Sequence, residues 1–160
     1  MTNASLQITT PSDLEIQMVR VFNAPKERVY RAFTDPDLVQ RWLLGPEGWS
    51  FQTCEMDVRT GGSYHWVWVH QQNGTMGLIG SFREVSPPDR IVHTERYEPA
   101  WGDNETVVTT TFVEEAGRTV VTVISLFSDQ AARDALLHSG MAEGVTRSYD
   151  LLEDLLATFS

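Results

Sequence analysis

Along the stretch "SYHWVWVH", Tyr64, Trp66 and Trp68 alternate with His65, Val67 and Val69. A period of two marks a half-buried strand, so one face carries three large aromatic side chains, with His70 at its end. In a core these rings are filler. On a cavity wall they are an apolar surface whose phenol and indole groups give a bound molecule polar handles. Cys54 and Met56 share a face of the preceding run, opposite Glu55 and Asp57, and are expected on the same interior. A lone buried cysteine is usually an inert small hydrophobe, and no evident base accompanies this one. His65, His70, His93 and His138 show no HxxH or HExxH spacing, so neither a metal nor a cofactor is expected. Glu95 shares the strand face of His93, and bringing its carboxylate to the imidazole is expected to need a turn or a bulge. Tyr64, His93 and Glu95 are the groups that could move protons. The serines lack a GxSxG elbow, and no helix follows Gly61-Gly62 to make it a phosphate loop. Arg59, Glu84, Asp89 and Arg90 read as ion pairs and turn caps at strand ends.

The elements that must position these groups follow from the period of the apolar residues. Residues 1–12 are polar and aperiodic, a flexible lead-in to a single domain over 13–160. "LEIQMVRVF" reads as strand one, with Leu14, Ile16, Met18 and either Val19 or Val21 inward, which implies a bulge. Two short helices follow: Pro25 fits a first turn, Asp35-Pro36 starts the second, and Gly45-Pro46 ends it. From Trp49 to Phe127, five or six β-like runs separated by short turns imply an antiparallel meander, with the clearest hairpin around Ala116-Gly117. After Ser128, read as an N-cap, one long terminal helix is expected to lie on the sheet. It carries Gly140 and Gly144, four apart, although a glycine inside a helix costs about 1 kcal/mol relative to alanine. The two glycines imply that something approaches the helix closely there, either a strand backbone, another helix or a ligand.

The formal charge of -10, from 22 acidic and 12 basic residues, repels phosphate backbones and anionic lipid heads, so nucleic acid is a poor partner. No apolar run is long enough to span a membrane and the start lacks a signal-peptide pattern, so a cytoplasmic protein is expected. The single cysteine excludes an intramolecular disulfide and agrees with a reducing compartment.

Three stretches, "CEMDVRTGGSYHWVWV", "GSFREVSPPDRIVHTERYEP" and "LFSDQAARDALLHSGMAEGVTRSYDLLEDLL", resemble the activator of heat-shock protein 90 ATPase homologue family, within the START-like (SRPBCC) helix-grip superfamily. The resemblance runs from about Leu14 to Phe159. It implies an α+β helix-grip fold, with a curved antiparallel sheet of about six or seven strands around a long C-terminal helix and a cavity between them. Relatives in the superfamily use that cavity for apolar small molecules, and some act as cyclases or hydrolases. The leading expectation is a small apolar ligand bound among Trp42, Cys54, Met56, Tyr64, Trp66, Trp68, His93, Phe112, Met141, Val145 and Tyr149. A cyclase- or hydrolase-type enzyme using the same cavity is the alternative. A co-chaperone role, as the family name suggests, ranks lower, because it tends to use basic surface and an additional N-terminal domain. Edge strands, or Trp101 in "PAWGDN", could pair two copies as a homodimer.

Overall fold

The computed structural model describes residues 5–98 and 105–159. Eight antiparallel strands form one sheet in the order β1-β2-β8-β7-β6-β5-β4-β3. They are β1 (Gln7–Thr9), β2 (Glu15–Phe22), β3 (Trp49–Met56), β4 (Ser63–His70), β5 (Gly74–Ser86), β6 (Arg90–Glu98), β7 (Thr106–Glu115) and β8 (Arg118–Leu126). Helices α1 (Lys26–Thr34) and α2 (Pro36–Trp42) follow β2, and α3 (Gln130–Leu137) and α4 (Met141–Leu156) close the chain. The α+β architecture is the expected one, with more strands than the six or seven anticipated. One extra strand lies in the supposed lead-in, where Gln7–Thr9 pairs with β2. Trp101 lies outside the described residues.

Local chemistry explains the element ends. The Asp35 carboxylate accepts the Asp37 N–H at 3.0 Å, and Pro36, which has no N–H to lose, opens α2. The β7–β8 hairpin turns on Ala116 (φ 54°) and Gly117 (φ 78°), the left-handed pair that matches strand twist. Strand β2 pairs with β8 in unbroken register, so the expected bulge is absent and Arg20 shares the inward face with Ile16, Met18 and Phe22. Asp150 on α4 makes this tolerable by pairing with the Arg20 guanidinium at 3.0 Å.

The single terminal helix is also corrected, since the chain turns between α3 and α4. The Ser139 hydroxyl donates to the Leu136 carbonyl, diverting an acceptor from the helix ladder, and Gly140 takes φ 84°. Gly140 is therefore the residue before a helix rather than inside one, and its expected helical cost does not arise. Helix α3 is capped by Asp129 rather than by Ser128, with its carboxylate accepting the Ala132 N–H at 2.7 Å. It is anchored on the start of β2 by buried Arg133, which donates to the Ser12 carbonyl.

The two ends of α4 have different surroundings. Leu152 and Leu156 are fully buried, each worth roughly 1.5–3 kcal/mol of apolar transfer. Helix α1 fills its part of the core with Tyr30 and Phe33, both about 5.2 Å from Phe112 between ring centroids. Among the described residues nothing comparable fills the space beneath the first two turns of α4.

Candidate functional site

That unfilled space is a cavity of about 410 Å³ between the sheet and α4, within the range of small-molecule sites. Strands β4, β5 and β6 supply Trp66, Trp68, Leu78, His93, Glu95 and Tyr97, and β7 and β8 add Val108, Thr110, Val123 and Ser125. Met141, Gly144, Val145, Ser148 and Tyr149 of α4 form the opposite wall. The loop after α2 closes a third side with Leu43, Leu44, Gly45 and Pro46.

Three contacts strap this loop. Gly45 N–H donates to the Ser148 hydroxyl at 2.9 Å, Arg147 donates to the Gly45 carbonyl at 2.9 Å, and Trp68 Nε1 donates to the Leu43 carbonyl at 2.9 Å. Gly144 faces Pro46 so closely that a Cβ there would lie 3.1 Å from Pro46 Cδ. The neighbour that Gly144 makes room for is thus the loop, a partner outside the set expected from sequence, whereas a Cβ at Gly140 would meet nothing within 4 Å.

Seven of the eleven sequence-derived site residues line the cavity: Trp42, Trp66, Trp68, His93, Met141, Val145 and Tyr149. Cys54, Met56, Tyr64 and Phe112 do not. Cys54 is covered by α2, its thiol 3.8 Å from the Pro36 carbonyl, and burial, with the Asp37 charge second, pushes that thiol up to about 11. Met56 pairs across from Tyr64 and packs on the filled core. Phe112 belongs to the α1 aromatic cluster. Tyr64 spends its hydroxyl on the Thr94 carbonyl, which removes it from the proton-moving candidates. Sequence reading missed Tyr97 and the Leu43–Pro46 segment. Period two from His93 reaches Tyr97, whereas no periodicity could place a loop over the sheet.

The polar end of the cavity is the inward face of β6. His93 Nε2 and Glu95 Oε2 are 3.2 Å apart, with side chains 13% and 22% exposed. No bulge is needed: β6 stays in register with β7 from His93↔Val108 to Glu95↔Thr106, and residues two apart on one face are within reach of a glutamate side chain. Burial, then the nearby Glu95 charge, drives the Tyr64 and Tyr97 phenols well above their ordinary range. Burial does the same to Tyr149, against a smaller opposing effect of Arg20. All three remain protonated donors and none is a phenolate base at neutral pH. Trp66, also in the wall, keeps its buried indole N–H without a hydrogen-bond partner among the described residues. Among those residues no three His, Cys, Asp or Glu side chains converge as a metal site, and no helix is long and apolar enough to cross a membrane.

Comparison with known proteins agrees with this architecture. The family model described as "Activator of Hsp90 ATPase homolog 1-like protein" matches residues 23–157. A protein of known structure from Rhodobacter sphaeroides is 31% identical, with a TM-score of 0.90 over 97% of this chain and 99% of that one. One from Chromobacterium violaceum is 28% identical, TM-score 0.80, over 92% of this chain and 100% of that one. One from Nitrosomonas europaea is 25% identical, TM-score 0.79, over 92% and 97%. No curated protein matches.

Proposed function

We propose that this chain, which belongs to the Activator of Hsp90 ATPase homolog 1-like family, binds a small, largely apolar molecule between its sheet and α4. The observation that carries the reading is the cavity itself: a largely apolar lining in which β6 places His93 and Glu95 side by side. Aromatic side chains ordinarily fill such a space, yet Trp42, Trp66, Trp68 and Tyr149 stand around it and leave it open. Removing apolar ligand surface from water supplies affinity at roughly 25 cal/mol per Å², less the cost of ordering. The lone indole N–H of Trp66 would be satisfied by a ligand oxygen within its reach.

The test is native mass spectrometry of the purified protein, then titration with the neutral fluorophore N-phenyl-1-naphthylamine. A co-purified apolar compound, or saturable one-to-one binding lost in Val145→Trp, is the expected result. Absence of both in a folded protein would overturn the reading.

The His93–Glu95 pair favours one second reading, a cyclase- or hydrolase-type enzyme in which Glu95 orients His93 as the base. Turnover of a bound compound that disappears in His93→Gln, with binding retained, is its signature. Binding without turnover of any identified ligand would leave the carrier reading alone.

A further inference from the structure

Resting on the cavity as a small-molecule site, we propose that its occupant is a hydrophobic amine, held as the ammonium with its charged end at Glu95. Glu95 is the single acidic side chain among the described residues of the lining, and no lysine or arginine is among them. Nor does the sequence place a lysine or arginine in 1–4, 99–104 or 160. A carboxylate, phosphate or sulfate drawn into this space would meet a like charge and no fixed cation, the costly way to bury an ion.

Neither guanidinium group packed around α4 is part of the lining, and each is held by a partner, although the buried Arg20 Nε has none among the described residues. Arg20 pairs with Asp150 at 3.0 Å, and Arg147 donates to the Gly45 carbonyl at 2.9 Å. A carboxylate offers about four lone-pair sites, and the His93 imidazole at 3.2 Å takes one of them. An ammonium brings three donors to the sites that remain, in charge-assisted hydrogen bonds. Tyr97 and Trp66 add aromatic rings to the same wall, which favours a cation over a neutral head. Leu78, Val108, Val123 and Val145 receive the apolar body, and the exterior charge of -10 draws cations toward the protein.

Three probes of one chain length separate the contributions: decylamine, 1-decanol and decanoate, titrated by tryptophan fluorescence at about pH 8, above the ordinary range of histidine. The expected order is decylamine tightest by about tenfold, then decanol, then decanoate. In Glu95→Gln the preference for the amine over decanol disappears, and an unchanged near-ultraviolet circular dichroism spectrum shows that the variant is folded. Equal binding of all three probes, or tightest binding of decanoate, would overturn the amine and leave the cavity reading standing. An amine preference that survives in Glu95→Gln would trace it to the acidic exterior and overturn the proposal too. Failure of all three to bind would remove the cavity reading with it.

Discussion

Tyr64 and Cys54 show how little residue type says about role until the partners are known. The Tyr64 hydroxyl is committed to the Thr94 carbonyl, so Tyr64→Phe leaves a buried acceptor short of a donor. It is expected to cost about 1–2 kcal/mol in chemical denaturation. Tyr64 is absent from the cavity wall, so affinity for an apolar probe should stay within about twofold. A large loss of affinity with little loss of stability would assign Tyr64 to the site after all. Cys54 makes the complementary case. Only the thiolate attacks, and burial moves the thiol up to about 11. Alkylation by iodoacetamide should therefore be slow at neutral pH and rise about tenfold per pH unit until the thiol titrates. A rate at neutral pH equal to that of an unfolded-chain cysteine would contradict the shielding by α2.

At the scale of elements, the two glycines of the terminal segment act in different ways. Gly140 holds φ 84° in the turn between α3 and α4, where an L side chain is strained, so Gly140→Ala is expected to cost about 1–2 kcal/mol. Gly144 is helical, and Gly144→Ala should gain about 1 kcal/mol in propensity. Its new methyl would press on Pro46 at 3.1 Å, forcing the loop to yield by a few tenths of an ångström. The two effects oppose each other, so melting should change little. The loop is a cavity wall, however, so probe affinity should shift. An unchanged affinity together with a raised melting temperature would show that the loop moves aside freely. The straps from Ser148, Arg147 and Trp68 argue against that freedom.

For the whole molecule, the described residues of the sheet and α4 enclose a packed core at one end and line a cavity at the other. A ligand that binds only this folded arrangement stabilises it by mass action. At a hundredfold excess over Kd the gain is about 2.7 kcal/mol, or roughly 5–10 °C for a chain of this size. Differential scanning fluorimetry with decylamine checks this, and a flat response at saturating probe would mean that binding is not to the folded cavity. Trp42, Trp49, Trp66 and Trp68 all stand on the wall, so occupancy should also change tryptophan emission in the same titration.

The order of elements from β2 to β8, the antiparallel meander, the Ala116-Gly117 hairpin and the inward face of β4 were legible in the sequence. Each rests on local rules: the period of apolar side chains, the missing N–H of proline, and the positive φ that a tight hairpin turn demands. Of the seven cavity residues, Trp66, Trp68 and His93 followed from strand alternation and Trp42, Met141, Val145 and Tyr149 from helical spacing, because residues that face one way along an element share a neighbourhood. Tertiary structure alone decided the rest. Arg20 sits inward because α4 brings Asp150 to it, a pairing across 130 residues with no trace in the local pattern. Cys54 and Phe112 face the interior as expected, but α2 and α1 cover them, so an inward face did not make them part of the cavity. The terminal helix breaks at Ser139 and Gly140, where an apolar stripe suggested continuity. A strand or helix pattern records which side of an element avoids water. Whether that side meets core or open cavity depends on what the other elements place against it, and that is settled by long-range packing.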